Sequence, residues 1–237
     1  MKQFALIGLS TFGRRVLEEL LKIDADLLII DKDPALVDRY KDQVGAAYVA
    51  DVIREETIKR LVPAEVDAAI IDLGGTIEAS VLVTNYLKKL GVKQIIARAE
   101  TDDHGEILGI VGATQIIFPN REAAKRIIPP LVTRSLFNYL PLGDGIAIVE
   151  LRVPDHIAGK TLVEADLRRR FRINVIARKT REGRYDFFTP DYQLQKDETL
   201  LVVGKESDIT DFSGTALPEG KQPGLSAVFR RLFSGGD

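Results

Sequence analysis

The sequence predicts an α/β protein: a doubly wound parallel sheet followed by a second, smaller α+β domain. Three observations carry this reading. Over roughly the first 120 residues, short β-branched runs alternate with longer amphipathic ones. The first run ends in Gly8-x-Ser10-x-x-Gly13, a glycine-rich strand-to-helix turn. Beyond residue 142 strand-like runs follow one another with little helix between them. A chain of 237 residues accommodates this division.

Strands are expected at Phe4 to Ile7, Leu27 to Ile30, Ala46 to Val49, Ala68 to Ile71, Gln94 to Ala97 and Gln115 to Phe118. All but the third, which Ala50 follows, are closed directly by a charged, glycine or proline residue. Helices are expected between them, at Arg14 to Ile23, Pro34 to Gln43, Glu55 to Leu61, Ile77 to Leu90 and Asp103 to Val111. The first shows the reason: Val16, Leu17, Leu20 and Leu21 recur on one face. Strand, helix, strand, repeated, builds the first domain, residues 1–120.

Residues 121–141 read as two helices meeting at a bend, because Pro129 and Pro130 interrupt the segment. Their apolar side chains, among them Ile127, Ile128, Leu131, Leu136, Phe137 and Leu140, exceed what one buried face needs. The segment is expected to connect the domains and to pack on another subunit. Residues 142–212 form the smaller domain, with strand-like "IAIVELRVP", "NVIARKTREGRYDFFTP" and "ETLLVVG", one helix near Leu162 to Phe171 and a hairpin across Arg181-Glu182-Gly183. Residues 213–237 read as a Gly- and Pro-rich linker ending in a short amphipathic helix through Leu225, Val228, Phe229, Leu232 and Phe233.

Composition narrows the function. With Lys+Arg 33 against Asp+Glu 35 there is no basic field for nucleic acid. Cysteine is absent, which removes thiol catalysis and thiolate metal sites. The two histidines, His104 and His156, sit in loop-like sequence and are expected to be exposed. No apolar run reaches 18 residues, so a cytoplasmic protein is expected.

The glycine turn suits a phosphate. Gly8 makes the turn, the middle position lets backbone approach the ligand, and Gly13 packs helix on strand. Ser10 stands at the middle position, where its hydroxyl can bond a phosphate oxygen. Asp31 ends the second strand 18 positions after Gly13, where a carboxylate accepts from ribose hydroxyls and disfavours a 2′-phosphate, despite Lys32. Asp51 with Val52 and the turn "DLGGT" with Gly74 fall at neighbouring strand ends. Together they indicate an adenosine nucleotide. Arg98 either meets a phosphate there or pairs with Glu100 or Asp102.

Further along, "GTIEASVLVTNYLKKLGVKQIIARAETDDHGEILGIVGATQIIFPNREAAKRI", "GKTLVEADLR" and "LQKDETLLVVG" occur in order. On these stretches the chain closely resembles the RCK (KTN) regulatory subunits of Trk/Ktr potassium transporters, over residues 1 to about 212. The resemblance implies a Rossmann-like lobe, a crossover helix pair forming a dimer, and a C-terminal lobe that also dimerises. It implies no enzymatic activity but a cytoplasmic homo-oligomeric ring, commonly an octamer, at the inner face of the plasma membrane. There it gates a membrane potassium channel or transporter. ATP and ADP, or NADH and NAD, are the nucleotides exchanged, and the matching phosphate-loop positions are Gly8 to Arg14, including Thr11, Phe12 and Arg14.

Two positions depart from that pattern. Where ATP-responsive members have Gly-x-Gly-Arg-Phe-Gly, this chain has Ser10 and Thr11; where they have Pro-Glu, it has Pro119-Asn120. These changes favour a constitutively held nucleotide or a mononucleotide such as AMP. Some members bind cyclic di-AMP at the C-terminal lobe, and the matching residues are Leu167, Arg168, Asn174, Val175 and Pro190. A nicotinamide-dependent oxidoreductase, or a structural ring protein with a relict pocket, are the alternatives.

Overall fold

The first strand, β1 (Lys2–Ile7), is the middle of a sheet, and Ala5, Leu6 and Ile7 at its end are buried. Six parallel strands make up that sheet in the order β3-β2-β1-β4-β5-β6, with β2 Ala25–Asp31, β3 Ala46–Val49, β4 Ala68–Ile71, β5 Ile95–Arg98 and β6 Gln115–Ile117. Parallel neighbours require crossovers, which the helices supply: α1 Thr11–Leu20, α2 Pro34–Tyr40, α3 Glu55–Leu61, α4 Ile77–Leu90 and α5 Asp102–Val111. A 3₁₀ turn at Lys41–Gln43 extends α2. Helices packed on the sheet favour apolar strand interiors, and on β4 Ala68 to Ile71 are all buried.

This computed structural model describes residues 1–132, 135–180, 182–187 and 189–214. Two compact units part between Arg121 and Glu122, within helix α6 (Pro119–Val132). The first contains the parallel sheet and two apolar clusters. One gathers Ile7, Ile71, Val83, Leu87 and Leu108; the other gathers Leu6, Leu9, Leu17 and Ile29.

In the second unit β7 Leu136–Gly143, β8 Ile146–Arg152, β9 Asn174–Lys179, β10 Tyr185–Asp186 and β11 Thr199–Lys205 form an antiparallel sheet, ordered β10-β9-β11-β8-β7. Helices α7 Leu162–Ala165, α8 Leu167–Phe171 and α9 Glu206–Ser213 belong to the same unit, whose core includes Val149, Leu151, Leu200, Val202 and Phe212.

Several expectations are corrected. Among the described residues of the connector there is one helix, α6, and Pro129 and Pro130 fall in its last turn; Leu136 begins strand β7 where a second helix was expected. Bulges between Leu136/Asn138 and Pro141/Gly143 break the alternation that marks a strand, so the segment mimics a helical pattern. The single helix near Leu162 is two, divided where Asp166 adopts φ 40°. Helix α9 runs to Ser213 with Gly214 as its left-handed cap, so the linker does not begin at Ser213. The expected tail helix and Arg181 of the hairpin lie outside the described residues.

Helix α6 leaves Ile127, Ile128 and Leu131 exposed. None of the helices among the described residues is long and apolar enough to cross a membrane.

Candidate functional site

Register brings the loops together. Ile7 sits opposite Ile30 on β2 and opposite Ile71 on β4, so the three strands end level and their loops open on one edge. In open parallel sheets ligands bind at that carboxyl edge, beside the strand where the order reverses. An open cleft of about 330 Å³ lies there, lined in part by Gly8, Ser10, Asp31, Lys32, Asp51, Val52, Asp72 and Gly74.

Its floor is steric necessity. Gly8 has φ +92°, and a Cβ there would lie 2.0 Å from the Asp72 carbonyl oxygen. A Cβ on Gly13 would lie 2.5 Å from the Gly8 carbonyl oxygen, so α1 packs against the turn only through glycine. Ser10 is the N-cap of α1 in extended conformation.

Carboxylates hold this floor. Asp31 accepts the Leu9 amide on Oδ2 at 2.5 Å and the Asp33 amide on Oδ1 at 2.8 Å, tying the β1 loop to the β2 loop. Asp33 caps α2 by accepting the Ala35 amide at 2.9 Å, with Pro34 preset at the first helical position. Asp51 accepts the Ile53 amide at 3.1 Å.

Asp72 is different because it is buried, with 2% exposure. Its Oδ2 accepts the Gly13 amide at 2.6 Å and the Ser10 hydroxyl; its Oδ1 accepts Arg98 Nη1 at 3.0 Å. Arg98 Nη2 in turn pairs with Glu100 at 2.6 Å.

Not every expected residue reaches the cleft. Ser10 was expected to offer its hydroxyl to a phosphate, but donates it to Asp72. Arg98 belongs to the ion pairs with Asp72 and Glu100 and lines a separate depression with Asn120 and Arg121. Thr11, Phe12 and Arg14 stand on the first turn of α1 and are not part of the cleft lining, while Gly13 is buried beneath it. Asp33 and the carboxylate role of Asp72 were missed. Asp72 had one signal, a charge directly after the apolar run Ala68 to Ile71.

His104 is not exposed as expected. It is 3% exposed within α5, its Nε2 is 2.7 Å from Ser80 Oγ, and burial holds its pKa below the usual imidazole value. His156 is exposed as a residue yet its ring meets Phe171 tilted and Phe212 edge-on, with centroids at 5.5 and 5.6 Å.

In the second unit Arg168, Asn174 and Pro190 are exposed and Val175 is half-buried, whereas Leu167 belongs to the core. The Pro190 carbonyl accepts the Val163 amide at 3.2 Å, which fixes its loop beside α7.

A parallel sheet with a glycine-turn cleft, followed by a small antiparallel unit, defines a two-domain architecture with a Rossmann-like first domain. Residues 4–119 match the TrkA-N domain and residues 146–214 the TrkA-C domain. The Ktr system potassium uptake protein C of Bacillus subtilis (strain 168) is 32% identical over 218 residues, covering 91% of this chain and 98% of the relative. The Ktr system potassium uptake protein A of Vibrio alginolyticus is 30% identical over 212 residues, covering 89% and 96%. The chain belongs to this family of Ktr-type regulatory subunits. Among solved structures, the GsuK channel bound to NAD shares the fold with TM-score 0.62 and 20% identity, over 92% of this chain and 40% of that longer one.

Proposed function

We propose that this chain is the regulatory subunit of a membrane potassium uptake system and that it acts by binding an adenosine ligand in the cleft at the carboxyl edge of its parallel sheet. The observation that carries this reading is the cleft itself. Gly8, Ser10, Asp31, Asp51 and Gly74 converge there from four different loops, in a chain matched over 91% of its length by a Ktr uptake protein. Asp31 retains unused lone pairs for ribose hydroxyls after accepting its two amides.

Regulation follows from differential affinity: a ligand shifts the assembly only as far as it binds one state better than the other. The working form is a homo-oligomeric ring built from dimers, an octamer in this proposal. It lies in the cytoplasm and docks on the inner face of the membrane through its transporter partner. The exposed Ile127, Ile128 and Leu131 of α6 supply an apolar surface for subunit contact. No chemical step is assigned to the chain.

The test is reconstitution with a Ktr-type membrane subunit in proteoliposomes. Potassium flux should depend on this chain and respond to an adenosine ligand; flux unchanged by adding the chain would overturn the reading. A second ligand, cyclic di-AMP, is proposed at Arg168, Asn174, Val175 and Pro190, with Leu167 supporting them from the core. Calorimetry of the full chain should show heat that Arg168→Ala abolishes, and silence with the natural protein would remove this second site.

A further inference from the structure

The helix that begins at Thr11 faces the cleft with amide groups no helical carbonyl can satisfy. Such a terminus can bind an anion such as a phosphate. Here it has received an anion belonging to the protein. The Gly13 amide donates to Asp72 Oδ2 at 2.6 Å, and the Ser10 hydroxyl donates to the same oxygen. Burial and the Asp72 amide bond to the Ile7 carbonyl at 2.9 Å hold the carboxylate in place. Arg98, the cation beside it, is shared between Asp72 and Glu100 and is not part of the cleft lining.

Charge around the cleft reinforces this. Among the described residues lining it are the carboxylates of Asp31, Asp33, Asp51 and Asp72, against the single cation Lys32. Each phosphate added to a ligand brings negative charge towards an end of the cleft that is already negative.

We infer that Asp72 is a specificity-determining residue: a resident anion that makes the cleft select an adenosine ligand carrying no phosphate or one, and reject di- and triphosphates. The Ser10 hydroxyl is one of two donors to this carboxylate oxygen, the Gly13 amide being the other, so the charge stays in place without it. This inference rests on the adenosine reading above and goes beyond it by naming the ligand's charge class.

Titration calorimetry on the nucleotide-free full chain, in buffer containing a chelator, tests it with adenosine, AMP, ADP and ATP. Affinity should fall by about tenfold or more from AMP to ATP. Asp72→Asn keeps the side-chain shape and an oxygen for the Gly13 amide; it should raise ATP affinity by about tenfold and change adenosine affinity far less. Ser10→Ala, which keeps the charge, should preserve the order of the four ligands. Tighter binding of ATP than of AMP, an equal change for all four ligands in Asp72→Asn, or loss of the order in Ser10→Ala would each overturn the role of Asp72.

If Asp72→Asn does not fold, the natural protein still decides the matter. The AMP-to-ATP ratio should shrink as ionic strength rises, because salt screens the repulsion; a ratio indifferent to salt would overturn the inference. Binding of none of the four ligands would overturn the adenosine site itself, which distinguishes the two failures.

Discussion

His104 Nε2 lies 2.7 Å from Ser80 Oγ, and the same ring accepts the Glu100 amide on Nδ1 at 3.3 Å. An acceptor at Nδ1 places the proton on Nε2, which donates to Ser80; the Ser80 hydroxyl in turn donates a hydrogen bond to the Ile77 carbonyl at 2.7 Å. The imidazole is therefore neutral and fully used, linking α4, α5 and the loop after β5.

This sets a pH dependence. Burial lowers the His104 pKa below the ordinary 6.5, with Arg98 also lowering it and Glu100 opposing. The unfolded chain then binds more proton than the folded one, so stability is full above 6.5 and is lost as pH falls through that value towards the folded pKa. Burial, with Lys160 and Arg170, lowers His156 in the same sense. Urea midpoints should fall between about pH 7.5 and 5.5, and His104→Gln should flatten that fall. An identical profile in the variant would assign the titration elsewhere.

Asp31→Ala removes both the ribose acceptor and the tie between two loops. Binding of an adenosine ligand should weaken by about 1.5–3 kcal/mol, and the melting temperature should fall because the Leu9 amide loses its partner. Calorimetry and a thermal melt read the two effects separately. Unaltered affinity would move the ligand out of this cleft.

Two glycines share φ +92° but not surroundings. At Gly91 an added Cβ meets nothing within 4 Å, so Gly91→Ala should cost only the left-handed strain, about 1–2 kcal/mol. Gly8→Ala meets backbone at 2.0 Å and should cost about 1–3 kcal/mol more. Equal denaturation midpoints for the two variants would contradict the packing described at the turn.

Glu150 is a buried carboxylate in the second sheet, with Lys179 Nζ at 3.0 and 3.2 Å and the Tyr185 hydroxyl donating to it. Removing the cation alone, in Lys179→Ala, should cost about 1–3 kcal/mol. Adding Glu150→Leu should recover most of that loss, because a buried pair is replaceable by apolar volume while a buried half-pair is not. A double-mutant cycle in urea measures the difference.

What was legible in the sequence follows from how local each feature is. Strand β4 and helices α3 and α4 have the expected limits, since their periodicity and their bounding residues lie within a few positions. Gly8, Asp31, Asp51 and Gly74 were legible as cleft residues because each lies at the end of a strand or within a few positions after it. Strand β7 was not, since its partner β8 rather than its own pattern defines it. Neither was the work of Ser10, whose hydroxyl meets a carboxylate 62 positions later. Burial of His104 depends likewise on Ser80, 24 positions earlier and on another helix.

The aliphatic side chains Ile127, Ile128 and Leu131 left in water on α6 have a thermodynamic consequence. Whatever covers them stabilises the folded chain by mass action, so the free energy of unfolding ceases to be a constant of the molecule. Its melting temperature becomes a function of how much protein, or how much of its partner, is in the tube. Dilution acts on such a chain as a mild denaturant.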